Sequence, residues 1–195
     1  MDKSQQLQKL KTQMLADKSL PLRETATQLV FGEGNPDAEI YFLGEAPGYW
    51  EDQKGRPFVG QAGKLLDSLI ESIGLKRKDV YISNIVRFRP PANRDPEPEE
   101  IAAFAPYVDR EIEIINPKVI VTLGRFSMGK FLPGAKISQV HGQIKEISWK
   151  GKKIILVPMY HPAAALRNET VMKELKEDFH QISQALKAVK NTYQG

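Results

Sequence analysis

The sequence predicts an α/β fold: a three-layer α/β/α sandwich with a central, mostly parallel four-stranded sheet. Three observations predict it. Short apolar runs at 40–43, 80–83 and 119–124 each end at Gly or at a polar residue, the pattern of strands buried on both faces. Stripes of apolar residues at helical spacing alternate with those runs. No internal repeat and no long linker divides the chain, so the alternation reads as a single domain over residues 1–195.

Leu7, Leu10 and Met14 lie three and four positions apart in a polar N-terminal segment, which predicts an amphipathic helix. Pro21 and the Gly- and Pro-containing stretch 32–36 read as loop. The run 40–43 is the first strand, closed by Gly44. Leu65, Leu66, Leu69, Ile70 and Ile73 then form a helical stripe that stops at Gly74, a C-terminal cap. A second strand at 80–83 leads into a polar turn at Asn84. Asp95-Pro96 reads as the start of a helix carrying Ile101, Phe104, Val108, Ile112 and Ile115, with Pro106 expected to kink or interrupt it. The β-branched run 119–124 is the clearest strand, and a short helix at 126–132 follows it. Segments 143–149 and 153–158 flank Lys150-Gly151 as a hairpin. Val171, Leu175, Phe179, Ile182, Leu186 and Val189 mark the last helix.

Composition narrows the chemistry. With 28 Lys and Arg against 24 Asp and Glu the net charge is +4, too mild to assign an anionic partner by itself. The chain has no Cys, which excludes disulfides, thiolate metal sites and thiol nucleophiles together. His141, His161 and His180 are widely separated, so no metal site is expected. No apolar run reaches the roughly 18 residues of a membrane helix, and the N-terminus lacks the apolar core of a signal peptide, which points to a cytoplasmic address.

Sites in open α/β sheets form beyond the carboxyl ends of the strands. Three of those ends carry unusual residues: Gly44-Glu45-Ala46-Pro47-Gly48, then Asn84, then His161-Pro162-Ala163-Ala164-Ala165-Leu166. Phe58, within Gly55-Arg56-Pro57-Phe58-Val59-Gly60, adds an aromatic plane. Taken singly, His161 reads as a buried structural imidazole, Asn84 as a turn residue, Phe58 as core and the Gly-rich loop as a tight turn. Together, an amide offering one donor and one acceptor, a backbone-rich loop and an imidazole suit a small planar heterocycle.

These motifs resemble those of the family 4 uracil-DNA glycosylases, over most of the chain from about Leu20 to the final helix. The resemblance rests on 31–36, on 44–48 with Glu51-Asp52, on 55–60, on Asn84-Ile85-Val86, Arg89-Pro90-Pro91 and Asn93-Arg94, and on 161–166. It implies a DNA repair enzyme that flips deoxyuridine from the stack, hydrolyses its N-glycosidic bond and leaves an abasic site. Gly44, Glu45 and Ala46 then line the base, Phe58 stacks on it, Asn84 reads its Watson–Crick edge, and His161 meets O2. Family 1 relatives have Asp where this chain has Ala46, so the carboxylate that orients water falls to Glu45 or Glu51, with Glu45 favoured. Glu51 has a second reading, as the group that crowds C5 and excludes thymine. Leu166 and Arg167 match a loop that wedges into the minor groove, and Arg89, with Arg87, Arg94, Arg125 and Lys130, is expected to meet phosphate.

The family holds a four-iron, four-sulfur cluster on four cysteines, which the motifs place at Asp17, Leu20, Phe88 and Phe104. None is Cys here. The expectation is an apolar plug in place of the cluster and no cofactor. No His lies between Arg87 and Glu100, so the covalent trapping of another branch of the superfamily is not expected. The partner expected is uracil-containing DNA, with the protein a monomer and away from membranes. The alternatives are a non-catalytic nucleic-acid-binding member of the fold, and a glycosylase for another deaminated base such as hypoxanthine.

Overall fold

The computed structural model describes residues 1–192; 193–195 lie outside it. Its elements run α1 (Lys3–Ala16), β1 (Glu33–Gly34), β2 (Ile40–Gly44), α2 (Tyr49–Lys54), α3 (Gln61–Ser72), β3 (Tyr81–Asn84), α4 (Pro98–Ile115), β4 (Val119–Leu123), α5 (Arg125–Gly129), α6 (Ile137–Val140), β5 (Lys145–Trp149), β6 (Lys152–Met159), α7 (Pro162–Ala165) and α8 (Glu169–Thr192). The sheet has six strands rather than four, in the order β1-β3-β2-β4-β6-β5. The four central strands are mutually parallel, and β1 and β5 add antiparallel edges. β1 escapes a sequence reading because two residues, Glu33 and Gly34, carry no periodicity.

Strand alternation builds two cores. Tyr41, Leu43, Ile120 and Leu156 face one way and pack with Leu7, Leu10 and Met14 of α1 and with Phe104, Val108 and Ile112 of α4. Ile40, Phe42, Val119, Val121 and Val157 face the other way, against Leu66, Leu69 and Ile70 of α3 and Leu175, Phe179 and Ile182 of α8. Both faces of the central strands are therefore dry, which is why they read as continuous apolar runs. The hairpin turn falls at Lys150-Gly151, both with positive φ (47° and 76°), as a two-residue turn between twisted strands requires.

Two local expectations are corrected. α4 begins at Pro98, not at Asp95-Pro96, because Glu97 caps it: its side chain takes the backbone N–H of Glu100, whose own carboxylate accepts from Glu97 N at 2.8 Å. α4 also runs through Pro106 without interruption. Pro106 and Ala102, the residue whose carbonyl it leaves unpaired, are both exposed, so water can satisfy that carbonyl while Phe104 and Val108 anchor the buried side. Among the described residues, no helix is long and apolar enough to cross a membrane.

Candidate functional site

The chain order makes the site. β2 leads through α3 to β3 on one side, and β3 leads through α4 to β4 on the other side of β2, so the direction of winding reverses between β2 and β4. Crevices open at such reversals, beyond the carboxyl ends of the strands. Glu45 leaves β2 there, Asn84 ends β3, Gly124 follows β4 and His161 lies just past β6.

Gly44, Phe58 and Asn84 converge closely. A Cβ on Gly44 would lie 2.4 Å from Asn84 Oδ1 and 2.5 Å from Phe58 Cζ, so only glycine lets the amide and the ring approach this backbone. Asn84 is 2% exposed, and its Oδ1 has no hydrogen-bond partner. A buried amide oxygen without a donor is costly unless a ligand supplies one. Phe58 and His161 stack with ring centroids 5.6 Å apart at 23°. The structure thus brings together Gly44, Phe58, Asn84 and His161.

His161 has a defined tautomer. Ala163 N donates to its Nδ1 at 3.0 Å, so Nδ1 carries a lone pair and the ring proton sits on Nε2. Burial pushes the imidazole down to about 4, against the opposing pull of the Glu51 carboxylate. At neutral pH the ring is a neutral Nε2–H donor.

The two candidate carboxylates differ in their partners. Glu51 Oε1 accepts from Val59 N and Gly60 N, both at 3.0 Å, and so fixes the loop that carries Phe58. Glu45 Oε2 accepts from Phe126 N at 2.8 Å, in the first turn of α5. Its carboxyl lies against Gly124, where a Cβ would come within 2.7 Å and where φ is +100°. Burial pushes Glu45 up to about 7; the Phe126 N–H opposes the shift, Asp95 adds to it and Arg125 opposes it.

Phe58 itself has φ +50°, a left-handed conformation that a bulky residue adopts only under constraint. Arg77 supplies much of the constraint. Its guanidinium donates to Phe58 O at 2.8 Å and to Pro57 O, while pairing with Glu33 (2.9 Å) and Asp67 (2.9 Å). Asn84 is held in a comparable way. Arg87 donates through Nε to Asn84 O at 2.5 Å and forms a bidentate pair with Glu111 (3.0 and 2.8 Å), which also accepts from Tyr41 OH at 2.5 Å. Arg77, Arg87 and Glu111 have no motif signal. Most of their partners are distant in sequence: Arg77 reaches Phe58 (19 residues) and Glu33 (44), and Glu111 reaches Arg87 (24) and Tyr41 (70).

The basic residues sort themselves by burial. Arg87 is 0% exposed and ion-paired, which removes it from the expected phosphate contacts. Arg94 pairs with Glu100, Arg125 with Asp95, and Lys130, largely buried, with Asp109. Leu166 is 47% exposed, and Arg167 beside it is exposed as well. Arg89 Nε donates to Asn93 Oδ1 at 2.7 Å, and its guanidinium lies 5.3 Å from the centroid of Tyr49.

The positions matched to cluster cysteines do not suit a cluster. Leu20, Phe88 and Phe104 are buried in one apolar core, with the two Phe rings 6.1 Å apart. Asp17 accepts from Ser19 and, at 2.7 Å, from Tyr107 OH one turn beyond Phe104, and these bonds lower its carboxyl below the usual range. With no Cys in the chain, no cysteine-ligated cluster can be held.

Comparison with known proteins decides the family. The family model of the uracil DNA glycosylase superfamily matches residues 31–187. The chain belongs to that superfamily. Within it, several relatives it resembles are type-4 enzymes. The chain is 50% identical over 184 residues to the type-4 uracil-DNA glycosylase of Sulfurisphaera tokodaii, covering 90% of this chain and 83% of the relative. It is 51% identical over 161 residues to that of Saccharolobus solfataricus (80% and 74% covered) and 48% identical over 150 residues to that of Thermotoga maritima (77% and 78%). The superfamily member described here therefore keeps the type-4 sequence pattern on a chain without cysteine.

Proposed function

We propose that this protein is a monofunctional uracil-DNA glycosylase, which hydrolyses the N-glycosidic bond of deoxyuridine in DNA and releases uracil. The similarity to type-4 enzymes over most of both chains supports the reaction. The single observation that carries the site is the unpartnered Asn84 Oδ1, buried beside Gly44 and the Phe58 ring.

Uracil presents N3–H and O4 on the edge that Asn84 faces, so Oδ1 accepts the first and Nδ2 donates to the second. Cytosine presents the reverse pattern and would leave both amide groups unpaired, which discriminates more strongly than apolar shape. Phe58 stacks on the base, and the His161 ring lies beside Phe58 with centroids 5.6 Å apart. As the glycosidic bond breaks, the electron pair passes to the uracil ring and negative charge collects at O2. A neutral Nε2–H donor aimed there stabilises the anion more than the substrate. Water adds to the oxocarbenium carbon of the sugar, and its proton passes to a carboxylate. Glu45 fills this role, because burial raises its basicity, while Glu51 holds the Phe58 loop. Leu166 and Arg167, exposed just past His161, fill the vacated stack and meet phosphate.

The test uses an oligonucleotide bearing one uracil, treated with protein and then alkali. Strand cleavage at uracil and none at cytosine is expected, with hypoxanthine run beside it to exclude another deaminated base. H161A should retain uracil selectivity and lose on the order of 10²–10³ in single-turnover rate. Intact uracil DNA after treatment would instead support a binding module of the same fold.

A further inference from the structure

Near the loop that carries Phe58 lies a feature the excision chemistry does not use. Tyr49 and Trp50, the first residues of α2, are 48% and 55% exposed. They are the aromatic members of the exposed large apolar side chains among the described residues. Their rings meet edge to face, with centroids 5.1 Å apart at 82°. Trp50 flanks Gly60, two residues past Phe58: a Cβ there would lie 3.6 Å from Trp50 Cδ1. Cations attend both rings. The Arg89 guanidinium lies 5.3 Å from the Tyr49 centroid, and Lys54 Nζ lies 6.0 Å from that of Trp50.

We propose that Tyr49 and Trp50 are a stacking platform for an unpaired nucleobase of the DNA strand beside the flipped uracil, so that single-stranded DNA is gripped as a substrate. The reading rests on the uracil-DNA function proposed above. Exposed aromatic faces interleaved with cations are the chemistry that binds single strands: π-faces take bases and cations take phosphates. In a duplex, neighbouring bases cover each other's faces and leave nothing for an aromatic at the rim to stack on. Leu166 serves the duplex by filling the gap, whereas Tyr49 and Trp50 serve a strand whose bases are free.

Two measurements test this. The ratio of kcat/KM on a single-stranded uracil oligonucleotide to that on the same sequence in a duplex should fall on the order of 10- to 100-fold in Y49A/W50A. W50F, which keeps an aromatic face, should restore most of it. An unchanged ratio overturns the platform. Second, Trp50 and Trp149 are the two tryptophans of the chain, and Trp149 lies on the edge strand β5, so W149F leaves Trp50 as the sole indole reporter. Oligothymidylate without uracil should quench its fluorescence; no quenching at concentrations that saturate excision also overturns the proposal. Quenching without any uracil release would leave the platform standing and refute the glycosylase reading, so the two fail separately.

Discussion

In its proposed role as base, Glu45 couples chemistry to stability. Its carboxyl has left water for the switch point between β2 and β4, where burial raises it to about 7 against an ordinary 4.5. A base poised near neutrality is well matched to accepting a proton from water. The wild-type kcat/KM should therefore rise with pH and level off above an apparent pKa near 7, while E45Q should be pH-independent and lower by about 10²–10⁴. Stability moves the other way. The folded state favours the protonated acid, so the contribution is complete below pH 4.5 and is lost as pH rises through about 7, reaching about 3 kcal/mol. E45Q should melt above wild type at pH 8 and level with it at pH 4. Calorimetry at the two values checks the sign, and equal melting at both would remove Glu45 from the buried site.

At the scale of elements, the shortest strand has a disproportionate role. β1 contributes Glu33, whose carboxylate holds Arg77 and Arg56 together, and burial raises Glu33 while these guanidinium partners bring it below the usual range overall. Arg77 in turn grips the carbonyls of Pro57 and Phe58, so an edge strand of two residues, Glu33 and Gly34, stabilises the strained backbone of Phe58. R77A should leave the two cores intact and release the loop. The expected result is a 10- to 100-fold fall in kcat/KM with a modest change in melting temperature, since misplacing a positioned group costs about that much. Measuring free-uracil affinity in the same variant separates loss of stacking from loss of fold: affinity should fall in step with kcat/KM. None of this was readable beforehand. Glu33, Arg77 and Phe58 share no periodicity, and their meeting depends on the antiparallel pairing of β1 with β3.

Across the whole molecule, the clearest departure is the apolar replacement of a cluster site. Phe88 follows Asn84 by four residues and Phe104 lies on α4, so their contact ties the loop behind Asn84 to the helix that carries Glu111. Burying two Phe side chains and one Leu contributes roughly 1.5–3 kcal/mol each, a cross-link of apolar area in place of metal–sulfur bonds. Purified protein should show no visible absorption band, no stoichiometric iron, and full excision after exhaustive chelation or mild oxidation. Iron in molar proportion, or inactivation by chelator, would show a metal held by other means.

The sequence by itself determined the alternation of strands and helices, the sheet ends at Gly44, Asn84 and His161, and the loss of every cysteine ligand. These follow from local properties: apolar runs, helical spacing and residue identity act over a few positions. Tertiary structure alone decided that Arg87 is a buried anchor for Asn84 rather than a phosphate contact, that Glu45 bonds the first turn of α5 while Glu51 locks the Phe58 loop, and that Tyr49 and Trp50 stand exposed beside that loop. The reason is physical. A charge or a ring takes its meaning from its solvation and its partners, and both are set by which distant segments the sheet order brings together.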